Sequence, residues 1–177
     1  MLFSNNRWLI VTVVHYITLF FVTQLNYYLA GFGLQIIVAG MLISFSALEL
    51  NYKHGLLSLL PIALHLDCKS PLPFGFTLIL TLALFTIAYV ARSRVRREIA
   101  ASALISSLVL NLVVYSAYTF GAIRYISSEG IHIGPLALNL FASGLVVVLF
   151  NKLFFDVHTG TLALFGINLA EEQRAAR

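Results

Sequence analysis

Apolar positions along this chain fall in long unbroken runs separated by short polar stretches. No Asp, Glu, Lys or Arg occurs between Arg7 and Glu49, Lys69 and Arg92, Glu98 and Arg124, or Glu129 and Lys152. A helix rises about 1.5 Å per residue, so roughly 20 residues cross the ~30 Å hydrocarbon core of a bilayer. Each of the last three windows fits one crossing, and the first is long enough for two. The middle of that first window is softer, with Gln24, Asn26, Tyr27, Tyr28, Gly31 and Gly33. Paired tyrosines at such a point suit the aromatic belt at a membrane interface. Residues 74–90 are apolar all round, without the period-two alternation of a spanning strand. Helices and closed barrels are the two ways to satisfy the backbone in hydrocarbon. The pattern therefore predicts an all-α membrane protein, a bundle of about six helices over residues 8–24, 33–50, 53–66, 73–91, 98–122 and 132–152. The third is short before Asp67 and contains Pro61, so a tilted span and a re-entrant segment are both open. The run after Arg7 is too long for a signal peptide and lacks an Ala-x-Ala site, which makes it the first membrane helix.

The last twenty residues differ in kind. Residues 1–157 read as the membrane domain and 158–177 as a cytoplasmic amphipathic tail. Leu162, Leu164, Phe165, Ile167 and Leu169 form an apolar stretch too short to span, suited to a membrane surface or a partner protein. Asn168 and Glu171 have capping-box spacing for a terminal helix.

Composition agrees with the pattern. Of 177 residues, 60% are hydrophobic and 10% charged, against about 25% charged in a soluble domain. The net charge of +4 is no sign of a nucleic-acid partner, because much of it sits in Arg92, Arg94, Arg96 and Arg97. Lysine and arginine gather in cytoplasmic loops. With six crossings, this cluster falls inside together with Arg7, Lys53 and the tail, while Lys69 and Arg124 fall outside. Both termini are then cytoplasmic. The same arginines are also placed to meet anionic lipid headgroups. The single Cys68 excludes an intramolecular disulfide.

Candidate chemistry is sparse. His65, Asp67 and Lys69 lie at the end of the third helix, before a turn with Ser70, Pro71, Pro73 and Gly75. A proton relay or metal pair at His65 and Asp67 is one reading. A polar interfacial turn, with Asp67 capping or pairing with Lys69, is the better one, since ionisable groups are tolerated at helix ends. His15 lies within the first helix, on one face with Leu19 and Val22, where a hydrogen bond to a neighbouring helix is expected. Glu49 and Lys53 have the spacing of a helical ion pair. Ser44, Ser46, Ser102, Ser106, Ser107, Asn111, Ser116, Asn139 and Ser143 suit close helix packing, interhelical hydrogen bonds or a substrate cavity. No nucleophile motif, phosphate loop or Cys/His metal spacing is present, so no enzyme, metal or cofactor is expected.

Gly55 to Gly75, an apolar helix followed by H-L-D-C-K-S-P-L-P-F-G, resembles the pattern of the rod shape-determining protein MreD family. Asp67, Ser70, Pro71, Leu72 and Gly75 occupy that family's Asp, small residue and Pro-Leu-Gly, with Pro73–Phe74 inserted before the glycine. The arginine-rich loop and the tail from Leu162 to Arg177 are also similar. The resemblance implies a non-enzymatic inner-membrane scaffold of the bacterial cell-elongation complex, supporting peptidoglycan synthesis and cell shape. It implies an MreC-like partner and, through it, RodA, a class B penicillin-binding protein and MreB. It further implies a fold like the substrate-binding subunits of energy-coupling-factor transporters, and a vitamin-binding subunit of that kind is the alternative function. Bulky Trp8, Tyr16, Phe20 and Phe21 on the first helix weigh against that alternative.

Overall fold

The computed structural model describes residues 6–92, 100–125 and 133–169. They form α1 (Arg7–Leu29), α2 (Ala39–Glu49), α3 (Tyr52–Lys69), α4 (Phe76–Ala91), α5 (Ala100–Tyr125) and α6 (Ile133–Leu164), with a short 3₁₀ turn, Ala30–Phe32, after α1. The expected all-α architecture is present. Arg7–Phe32, Ala101–Tyr125 and Gly134–Leu164 are each long and apolar enough to cross a membrane; α2 and α4 are shorter apolar helices. Phe20, Phe21, Ile79, Val90, Phe120, Phe141 and Leu149 are exposed around the bundle. A belt of that size on a water-facing surface would drive association, so lipid is its natural cover.

Successive helices run antiparallel, as the contacts between them require. One end, here the turn end, gathers the α1–α2 link, the α3–α4 turn and the start of α6: Asn26 meets Ile36, Asp67 meets Gly75, and Tyr115 meets Leu136. The other end carries Arg7, Asn51 and Arg92, whose guanidinium donates to the Leu50 carbonyl at 2.9 Å. At the centre stands α2, with every residue from Gly40 to Leu48 buried, packed by α3, α4, α5 and α6. A helix apolar on all sides can be enclosed in this way. Phe45, Leu42, Ile43, Phe85 and Leu59 form the middle of the core.

Several element boundaries depart from the sequence pattern. The first helix, expected to end at 24, runs to Leu29. The second helix does not run over 33–50: residues 34–38 are non-helical and α2 starts at Ala39. The third is continuous from Tyr52 to Lys69 through Pro61. The sixth continues to Leu164, twelve residues past 152 and straight across the expected tail boundary. Asn151, Lys152, Asp156 and His158 mark no helix end: Asn151 and His158 are buried against the bundle, and a helix keeps its own backbone hydrogen bonds through polar residues. Glu49 and Lys53 are also not on one helix, since the extended Leu50 separates α2 from α3.

Candidate functional site

Three polar constructions interrupt this apolar bundle. The first is a buried histidine pair. His15 of α1 and His158 of α6 have their facing ring nitrogens, Nδ1 and Nε2, 2.8 Å apart. His15 Nε2 lies 3.1 Å from Ser46 Oγ of α2, and Ser46 Oγ lies 3.1 Å from Ser58 Oγ of α3. His158 Nδ1 is 2.8 Å from the Phe154 carbonyl, four residues back. A carbonyl can only accept, which sets the order of donors when both rings are neutral. His158 Nδ1–H donates to Phe154, His15 Nδ1–H donates to His158 Nε2, and Ser46 O–H donates to His15 Nε2. Ser58 divides its single proton between Ser46 and the Gly55 carbonyl, 2.8 Å away. The chain ends on a backbone carbonyl at each side, and neither terminus takes up a proton. All four side chains are at most 1% exposed. The arrangement acts as a cross-link of α1, α2, α3 and α6. His15 thus bonds to neighbouring helices as its position predicts, whereas His158, assigned to the tail, is a core residue.

Removing half of such a pair is more harmful than removing all of it, because a buried donor left alone keeps its full desolvation cost, about 1–3 kcal/mol. His15→Phe is expected to lower the melting temperature in detergent. The double variant His15→Phe/His158→Phe is expected to recover part of the loss. Additive losses in the two single variants would contradict the pairing.

The second construction is the α3–α4 turn. Asp67, 3% exposed, receives N–H bonds from Gly75 (3.0 Å), Thr77 (2.8 Å) and Leu78 (3.1 Å). The carboxylate of one helix thereby caps the next, where free N–H groups and the helix dipole favour negative charge. Gly75 has φ +93°, a left-handed conformation suited to glycine. Ser70 Oγ accepts the Leu72 N–H at 3.2 Å, and Leu72 is buried beneath Gly121. Pro71 is exposed on the turn. Asp67, Ser70 and Gly75 therefore work together, while His65 packs edge-on against Tyr16, ring centroids 5.4 Å apart.

The third was not foreseen. The non-helical segment 34–38 is clamped by side chains from three helices. Asn26 grips Ile36 with both ends of its amide, at 2.8 and 2.7 Å. Asn139 accepts the Gln35 N–H at 3.0 Å, and Ser143 accepts the Ile37 N–H at 3.0 Å. Asn111 accepts from Gly40 N–H and donates to the Ile37 carbonyl. Non-helical backbone survives at membrane depth only where such partners exist. Asn111, Asn139 and Ser143, noted within the spans, supply them together with Asn26, which was read as part of the soft stretch after the first helix and lies inside α1.

Other expected site residues are divided by the structure. Arg92 binds its own chain, with Nη2 2.9 Å from the Tyr89 hydroxyl and the guanidinium carbon 3.8 Å above that ring. Arg94, Arg96 and Arg97 lie outside the described residues, as does the tail beyond Leu169. Of the apolar tail residues, Leu162, Ile167 and Leu169 are buried in the core, and Leu164 and Phe165 are exposed. The chain reverses at Gly166, φ +75°, which folds Ile167 back inward. The five therefore do not share one exposed face, because three of them turn into the core.

Two hollows accompany these sites. An apolar groove of about 450 Å³ runs between α1 and α6, lined by Val14, Ile17, Thr18, Phe21, Val22 and Leu25 on one side and Val146, Phe150, Leu153 and Val157 on the other. A cavity of about 380 Å³ opens at the turn end beside the clamped segment. No protein-family model, curated protein or solved structure matches this chain.

Proposed function

We propose that the protein is a non-enzymatic, MreD-like scaffold of a bacterial inner membrane, which holds the membrane helix of an MreC-like partner. The observation that carries this reading is the groove between α1 and α6. Its α1 wall, residues 14, 17, 18, 21, 22 and 25, repeats at the i, i+3, i+4, i+7 spacing of one helix face. The groove follows both helices for about three turns, roughly 17 Å at 1.5 Å per residue. Association in lipid depends on shape fit rather than on the hydrophobic effect, and an apolar furrow of this form offers that fit to a third helix. The Asp67–Gly75 unit gives the MreD-like motif a coherent physical purpose as a capped turn. Through the partner, the scaffold would serve RodA, a class B penicillin-binding protein and MreB. Six crossings with both termini and the Arg92–Arg97 loop cytoplasmic, in a bundle like the energy-coupling-factor binding subunits, complete the reading.

Capture of co-expressed MreC in mild detergent tests the partner. Thr18→Trp and Val146→Trp fill the groove and are expected to lower recovered MreC several-fold. Ile79→Trp, on an exposed face of α4, should leave recovery unchanged. Equal recovery with all three variants overturns the groove assignment. Vitamin-dependent stabilisation without MreC binding would favour the transporter-subunit alternative instead. Orientation is read from the exposed native Cys68: an impermeant maleimide should label it from the periplasmic side, and labelling only after membrane disruption reverses the topology.

A further inference from the structure

α2 has 11 residues, about 16 Å of helix, and so fills only about half of a ~30 Å bilayer core. Towards the turn end its place is taken by the non-helical segment 34–38. A single non-helical stretch of backbone takes up less width than a helix, whose diameter with side chains is about 10–12 Å. The cavity of about 380 Å³ is the space left over, bounded by α1, that segment, the end of α3 and α5. It falls within the size range of small-molecule sites, and broken helices are where membrane proteins place such sites.

The lining has a definite chemistry. Ile36, Leu66 and Val114 are apolar, while Thr23, Gln35 and Thr119 are polar. Lys69 is the one charged residue among those lining it. The nearest acid in sequence, Asp67, does not answer that charge. It lies two residues away on α3, so it does not share a face with Lys69, and it is occupied by three backbone N–H groups.

The geometry points to a binding site for a small amphipathic organic anion, its acidic group at Lys69 and its apolar body against Ile36, Leu66 and Val114. The anion comes either from the aqueous phase or as the headgroup region of an acidic lipid. The site lies apart from the α1–α6 groove, so a failure to capture MreC leaves it standing, and its own failure leaves the scaffold reading intact.

The test titrates the full chain in phosphatidylcholine nanodiscs with 1-naphthoate by equilibrium dialysis, subtracting empty nanodiscs. Saturable binding is expected. Loss of a charge-assisted contact predicts that Lys69→Ala, and separately the neutral probe 1-naphthamide, each weaken binding by about tenfold or more. Ala122→Phe, which fills the cavity from α5, is expected to abolish it. Should that variant fail to fold, Thr23→Phe fills the cavity from the opposite wall. Added phosphatidylglycerol identifies the source: competition assigns the site to acidic lipid, and unchanged affinity assigns it to a soluble anion. No saturable binding, or binding that survives either Lys69→Ala or a folded cavity-filling variant, overturns the proposal.

Discussion

Asp67→Ala is expected to cost about 3 kcal/mol or more, the largest loss from any single polar substitution at the turn end. The carboxylate is buried and accepts three backbone N–H bonds. Bonds to a charged acceptor are worth about 1.5–3 kcal/mol each, and they do not add fully because the three donors share one group. The substitution also removes the negative charge from the start of α4, where the dipole favours it. Asp67→Asn keeps one acceptor oxygen but turns an N–H₂ towards donors, so it should fall between alanine and wild type, at about 2 kcal/mol. Thermal unfolding in detergent orders the three proteins. Partner capture per folded molecule should not change. A variant that folds and binds MreC normally yet fails to support rod shape would move Asp67 from a capping role to a ligand or proton role.

Gly40→Ala is expected to destabilise by about 3 kcal/mol, at the top of the usual overpacking range, and Gly40→Leu should prevent folding. A Cβ at this position would overlap the Asn111 N and Ser107 O of α5. Both are backbone atoms and cannot rotate away, so α2 and α5 must separate. That separation also breaks the Gly40 N–H bond to Asn111 and strains the amide's second bond to Ile37. Gly144→Ala makes the control, since a Cβ there meets nothing within 4 Å. Equal melting temperatures for Gly40→Ala and Gly144→Ala would refute the close approach.

The lipid-facing part of this fold is written locally. Charge-free runs placed α1, α4, α5 and the first part of α6, because each residue answers to lipid on its own. The Asp67 cap was legible for the same reason: acceptor, turn and next helix lie within about a dozen residues of one another. The interior is written between distant positions. His15 gives no sign of its partner 143 residues away. Leu34, Gln35, Ile36, Ile37 and Val38 read as helix, being apolar with one amide, and no local signal breaks them. The available signal was the surplus of amides, Asn111 and Asn139 within the spans and Asn26 just after the first, groups too costly in lipid without partners. Their positions alone did not say that the partner was backbone.

The clamped segment also sets an order of assembly. Chains emerge N-terminus first, and Asn26 is the one clamp residue made before residues 34–38. Asn111, Asn139 and Ser143 arrive about 70 to 108 residues later. Until then several peptide groups of the segment have no partner in the chain, and each costs several kcal/mol if left bare in hydrocarbon. The first two helices therefore cannot settle as a finished hairpin at the time they are synthesised. Residues 34–38 must wait in water, at the lipid interface or against the insertion machinery, and the hairpin closes only when the last helix comes in.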